Sequence, residues 1–327
     1  MAPPPAMVSE SERLEAAERA APARTGALRR ALDSDLFYSF RRSPVTVTAA
    51  AVTLVLIASA LTCGWIAPHN PFDLASLSIL DSHNPPGWVS GGSWEYPLGT
   101  DDQGRDVLSA VLYGMRVSIA VGFAAVLLAL AAGVSLGLLA GFAGGWVDTV
   151  IMRLCDILLS FPAILIALLI DGIARSLLPH DRQDQIAFYV VVLAITVLPS
   201  VQFARTVRGS TLVERNREYV QAARVIGVHP VAIAIRHVLP NVAGPVLVIA
   251  TINLAVAIIN EATLSFLGVG LPLTQPSLGT LIRVGQAYLF SGEWWMILFP
   301  SLALAGLALA VNLLGDWLRD ALNPKLR

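Results

Sequence analysis

Long apolar runs alternate with shorter polar segments along the whole chain. A bilayer core about 30 Å thick takes about 20 residues of helix. Runs of that length lie at 45–67, 117–140, 149–170, 186–204, 242–266 and 296–314. The third run is the least clean, because it contains Arg153, Asp156 and Pro162. Arg153 and Asp156 are three residues apart and can pair on one helix face. Residues 1–27, rich in Ala, Pro, Glu and Arg, predict a disordered tail. From Leu28 an apolar stripe at Leu28, Leu32, Leu36 and Phe40 is flanked by arginines, which predicts an amphipathic interfacial helix over 28–43. Between the fourth and fifth runs lies a polar island, 218–241. Val220, Ala223 and Ile226 recur at helical spacing, and Gly227 suits a left-handed C-terminal cap. Pro230 suits a first helical turn. A second stripe follows at Val231, Ile235 and Val238, closed by Leu239 and Pro240. Two short helices with a bend, carrying Glu218, Arg224 and Arg236, cannot lie within hydrocarbon. The island therefore predicts a knob projecting from the membrane.

Composition strengthens this reading. The chain has 327 residues, 55% of them hydrophobic and 14% charged, against about a quarter charged in soluble domains. Its mean hydropathy is +0.67. This predicts an all-α integral membrane protein with six spans. The net charge of -1 hides a segregation. Arginines crowd the N-terminal tail and the segment from Arg205 to Arg236, and Arg319, Lys325 and Arg327 close the chain; the alternate loops hold few. The positive-inside rule then puts both termini and the knob in the cytoplasm. The expected organisation is a tail (1–27), an interfacial helix (28–43), a first span (44–67), an external loop (68–116), a five-helix core (117–318) containing a cytoplasmic loop (205–240), and a C-terminal tail (319–327). Cys63 and Cys155 lie in apolar runs and read as buried small hydrophobes.

Several features invite chemical readings. Asp101, Asp102 and Asp106 suggest a cation loop, but the glutamate such a loop needs is missing, and a turn leading into a capped helix is simpler. No metal site is expected. Gly133-Val-Ser135-Leu-Gly137 matches a nucleophile-elbow pattern. However, His69, His83, His180, His229 and His237 all fall in loops or at span edges, so a membrane-embedded base is lacking and no catalytic residue is expected. Gly133, Gly137 and Gly141 recur every fourth residue, which predicts a close helix contact. Asn253, Asn260 and Glu261 are polar positions within one span and are candidates for a translocation path; a helix-end role for Glu261 remains open. A P-loop needs a lysine after its glycines. The single lysine, Lys325, follows Asn323 and Pro324, so any ATP chemistry belongs to another polypeptide.

The island at 218–241 resembles the cytoplasmic EAA loop of bacterial ABC importer membrane subunits. Ala222, Ala223, Gly227, Leu239 and Pro240 match that pattern. Gln221 stands where glutamate is usual, and His237 where a branched apolar residue is common. Leu98-Gly-Thr-Asp101…Gly104-Arg-Asp106, Glu261 to Gly270, Trp294 to Pro300 and Asn312 to Pro324 resemble motifs of the second membrane subunit of dipeptide and oligopeptide permeases. The resemblance covers the chain from about residue 30 onward. It implies a type I importer permease in the bacterial inner membrane, with 68–116 in the periplasm. It also implies a homologous permease subunit, two ATPase subunits or domains carrying ATP and Mg, an external solute-binding protein, a peptide cargo, and no nucleic acid. A nickel, glutathione or other small-solute importer is the alternative within the family; an intramembrane protease or a passive channel lies outside it. The expected ATPase-coupling residues are Glu218, Gln221, Ala222, Ala223, Arg224, Gly227, Arg236, His237, Leu239 and Pro240.

Overall fold

The computed structural model describes residues 40–73, 79–272 and 274–321. The tail at 1–27, the stripe positions Leu28, Leu32 and Leu36, and residues 322–327 lie outside the described residues. The chain divides into two units after Val47; the described part of the first is a helical turn at 40–42 followed by the start of helix α1 (Pro44–Leu61) at Pro44. The bundle contains α2 (Val107–Ala143), α3 (Gly145–Leu159), α4 (Ala163–Leu177), α5 (His180–Glu214), α6 (Glu218–Val225), α7 (Leu239–Phe266), α8 (Leu278–Tyr288) and α9 (Trp295–Ala321).

Helix α2 begins well before the apolar run at 117. Its N-cap, Asp106, accepts the Ser109 N–H at 2.9 Å and satisfies an otherwise orphaned donor. The 37 residues of α2 span about 55 Å, longer than the hydrocarbon core. The turn before it is held by Asp101, whose carboxylate accepts the backbone N–H groups of Gln103 and Arg105 at 2.9 Å and Arg105 Nε at 2.6 Å. Trp295 Nε1 donates to the Thr100 carbonyl at 3.0 Å, fastening this turn to the start of α9. Gly99 has φ +84, and a Cβ there would sit 2.9 Å from the Trp295 indole. The acidic string is thus a clamp and a cap.

Helices α2 and α5 pack through the three spaced glycines. A Cβ at Gly133 would fall 2.5 Å from Phe203 Cβ, at Gly137 2.8 Å from Val207 Cβ, and at Gly141 2.7 Å from Thr211 Cβ. Backbones approach this closely only where no side chain intervenes. Thr196 donates to the Ala125 carbonyl at 3.2 Å farther along the same pair.

The third apolar run does not form one straight helix. Helices α3 and α4 meet at a 96° bend. Pro162 N-caps α4, and proline disfavours helix in the residue before it. Asp156 pairs with Arg205 of α5 rather than with Arg153, and Arg208 grips Asp148 through two contacts, Nη2 to Oδ2 at 2.6 Å. These pairs lay α3 along one end of α5, while α4 runs back beside α5 with Ile166, Ala167 and Asp171 buried. Among the described residues, five helices are long and apolar enough to cross a membrane, or up to six if the bent pair is one span. Proline interrupts α5, α7 and α9 at Pro199, Pro245 and Pro300, as spans tolerate when neighbouring groups re-satisfy the backbone.

Candidate functional site

The site is the connection from α5 to α7. Helix α6 ends at a left-handed Gly227, φ +84. The Val228 N–H donates to the Ala223 carbonyl and the Gly227 N–H to the Arg224 carbonyl, both at 3.0 Å. This paired pattern is the Schellman motif, with Val228 and Ala223 sharing one apolar cluster. The chain then turns: His229 Nδ1 accepts the Val231 N–H at 3.4 Å, and Pro230 opens a short turn, Pro230–Ile233. A π-helical turn, Ala234–Val238, leads into α7. Such single turns commonly mark functional positions.

The knob has an inner and an outer side. Val220, Ala223, Ile233 and Val238 are buried against Phe203, Val207 and Val242. Val225 and Ile226 are 88% and 80% exposed, and Val231 and Ile235 exceed half exposure. The stripes expected from sequence are therefore rotated: Ile226, Val231 and Ile235 face out, and Ile233 takes an inner position. Successive helical residues differ by about 100°, so a stripe through 220 and 223 already turns Val225 away from the core. That signal was readable. A Cβ at Gly227 would meet nothing within 4 Å.

Polar contacts fix the knob to the bundle. The Arg224 guanidinium lies 5.4 Å from the centroid of the Phe142 ring, at the end of α2. Tyr219 donates to Glu214 Oε2 at 2.6 Å and accepts from Asn241 Nδ2 at 3.1 Å. Burial, and then the Glu214 carboxylate, push the Tyr219 hydroxyl above its ordinary pKa, so it remains a donor. Asn241 Nδ2 also donates to the His237 carbonyl at 2.7 Å. The sequence pattern carried no sign of the Arg224–Phe142 and Tyr219–Asn241 contacts, because both join well-separated positions. Gln221 Nε2 donates to the Asn216 carbonyl at 3.1 Å. His237 is half-buried, and its Nδ1 has no hydrogen-bond partner among the described residues. Glu218, Ala222, Arg236 and Pro240 are exposed, and Leu239 is half-buried.

The other candidates lie elsewhere. Glu261 has no exposure; it accepts the Ser118 hydroxyl at 2.6 Å and the Ser265 hydroxyl at 2.7 Å. Ser118 Oγ accepts the Leu278 N–H at 3.2 Å, so the carboxyl ties α2, α7 and the start of α8 together and does not reach water. Asn253 is buried at 3% exposure. Asn260 is half-buried and lines a cavity of about 90 Å³ with residues of α4 and α5. Ser135 lies inside α2 and donates to the Ala131 carbonyl at 2.7 Å, so the nucleophile-elbow pattern is helix interior and not the required strand-to-helix turn.

Residues 133–327 match the family described as binding-protein-dependent transport system inner membrane component. A dipeptide transport system permease protein of Haemophilus influenzae is 35% identical over 293 residues, covering 90% of this chain and 95% of the relative. A di/tripeptide transport system permease protein of Pseudomonas aeruginosa is 36% identical, covering 90% and 92%. A glutathione transport system permease protein of Pectobacterium atrosepticum is 38% identical over 288 residues, covering 88% and 89%. With its helices, its knob and this likeness over most of its length, the chain belongs to the inner-membrane permeases of binding-protein-dependent ABC importers.

Proposed function

We propose that this chain is one permease subunit of an ATP-driven importer of di- and oligopeptides, and that the knob at 218–240 couples it to cytoplasmic ATPase subunits. A second permease subunit, two ATPase subunits or domains that bind ATP and Mg, and an external solute-binding protein complete the assembly. The knob and both termini face the cytoplasm, in keeping with the arginines from Arg205 to Arg236. The observation that carries the coupling role is the two-sided knob. Its inner side is packed into the bundle, while Val225 and Ile226, at 88% and 80% exposure, stand on a polar segment outside the spans with the open Gly227 position beside them. An apolar tip on a rigid base suits insertion into a protein groove, and the base passes the displacement to α5 and α7. Glu218 and Arg236 supply charged contacts at the rim. Arg224 has a second role through its contact with Phe142.

Substitution of Gly227 tests this. An L-residue in the left-handed region costs about 1–2 kcal/mol, and the site has room for a side chain. Gly227→Leu is therefore expected to reach the membrane and keep its fold while losing ATP-driven peptide uptake and retention of the ATPase subunits on purification. Normal uptake by Gly227→Leu would overturn the coupling assignment. Relatives named for glutathione transport favour a second cargo, and competition of glutathione with peptide uptake distinguishes the two.

A further inference from the structure

A cavity of about 150 Å³ lies where the end of α4, the start of α5, the 268–272 segment and α8 meet, on the side assigned above to the outside. Among the described residues, four ionisable side chains line it: Asp171, Arg175, Asp184 and Arg283. The first two neutralise each other, Arg175 Nε donating to the buried Asp171 at 2.6 Å. Asp184 and Arg283, on different helices, have no ion-pair partner among the described residues. Room for the Arg283 guanidinium depends on Gly268: a Cβ there would come 2.7 Å from Arg283 Nη1, and the residue has φ +84.

The cavity is not isolated. The smaller Asn260 cavity uses the same faces of α4 and α5. Ala167 of the inner cavity and Arg175 of the outer one are eight residues apart on α4, about 12 Å along its axis. Ile195 and Ala187 have the same separation on α5. The two cavities therefore follow one seam, charged at its outer end and lined by Asn260 and Thr263 farther in.

We propose that the outer cavity is a subsite for the termini of a zwitterionic peptide. Arg283 takes the carboxylate, Asp184 takes the ammonium group, and the seam toward Asn260 is the part of the path this chain provides. A guanidinium binds a carboxylate through two parallel hydrogen bonds. A simple anion would engage Arg283 alone, whereas a zwitterion also engages the exposed Asp184. This proposal rests on the peptide-import reading.

The test uses the complete importer in proteoliposomes, with the solute-binding protein saturated by a tripeptide supplied either as free acid or as C-terminal amide. Arg283→Gln is expected to lower free-acid uptake about tenfold or more, the value of a charged hydrogen bond, and to leave amide uptake unchanged. Arg283→Lys is expected to retain the preference for the free acid. Equal losses for both peptides, or no loss for either, would overturn the subsite. If Arg283→Gln does not assemble, a tripeptide with a photoreactive C-terminal residue decides on the wild-type importer. Labelling within 268–288 supports the proposal, and labelling confined to other segments or to lipid overturns it. A wild-type importer that takes up neither peptide would overturn the import reading and the subsite with it.

Discussion

Glu261 holds two hydroxyls and, through Ser118, a backbone N–H, while having no contact with solvent. Glu261→Ala removes the common acceptor and leaves a void. With two buried hydroxyls left without their acceptor, at about 1–3 kcal/mol for each unsatisfied group, and some relief from removing a buried carboxyl, the net loss expected is about 2–4 kcal/mol. A thermal melt of the detergent-solubilised protein checks it, and Glu261→Gln, which keeps the volume, should lose less. The sequence marked this carboxyl as unusual within a span, but Ser118, 143 residues away, had no link to it in the linear pattern. Asp102 shows a different effect. Burial, and then the Asp101 carboxylate, hold its pKa above the ordinary value. The folded state therefore binds the proton more tightly than the unfolded state, and its stability falls as pH rises from the unfolded value through the raised folded one. Asp102→Asn, which mimics the protonated form, should raise the melting temperature at neutral pH. That gain should vanish when both states are protonated in acid, and a gain that persisted there would refute the assignment.

The α2–α5 contact depends on three missing side chains. Gly137→Ala would set a methyl group against Val207 Cβ at 2.8 Å; overpacking of this kind costs about 1–3 kcal/mol. Gly137→Leu cannot be accommodated without separating the helices, so its level in the membrane should collapse. Gly172→Leu is the control, since a Cβ there meets nothing within 4 Å. Quantitative blotting of membrane fractions separates these outcomes. The spacing of Gly133, Gly137 and Gly141 was legible because one helix repeat placed them on one face. The identity of the facing helix was not, because local periodicity contains no information about a partner. Helices α3 and α4 show the opposite limit. A hydropathy window adds up apolar residues without regard to direction, so it merged them. Pro162 was the visible warning, and the Asp148–Arg208 and Asp156–Arg205 pairs that orient α3 join residues 60 and 49 apart.

At the scale of the whole chain, the segregation of arginine and the apolar tip of the knob make one claim about sidedness. The positive-inside rule reads orientation from charge alone, and the proposed coupling role needs the same answer for a different reason, because the proposed ATPase partners are cytoplasmic. Single cysteines can test both together. The native Cys63 and Cys155 are 0% and 4% exposed, so a membrane-impermeant maleimide should give little background. Ile226 is 80% exposed on the knob, and Phe290 is 99% exposed in the turn between α8 and α9. Ile226→Cys should be labelled in inside-out vesicles only, and Phe290→Cys in right-side-out vesicles only. Co-expression with the ATPase subunits should then protect Ile226→Cys, leave Phe290→Cys reactive, and be reversed when those subunits are stripped away. Labelling from the opposite sides would invert the topology and remove the basis for coupling. Correct sidedness without protection would keep the topology and leave the knob without its partner.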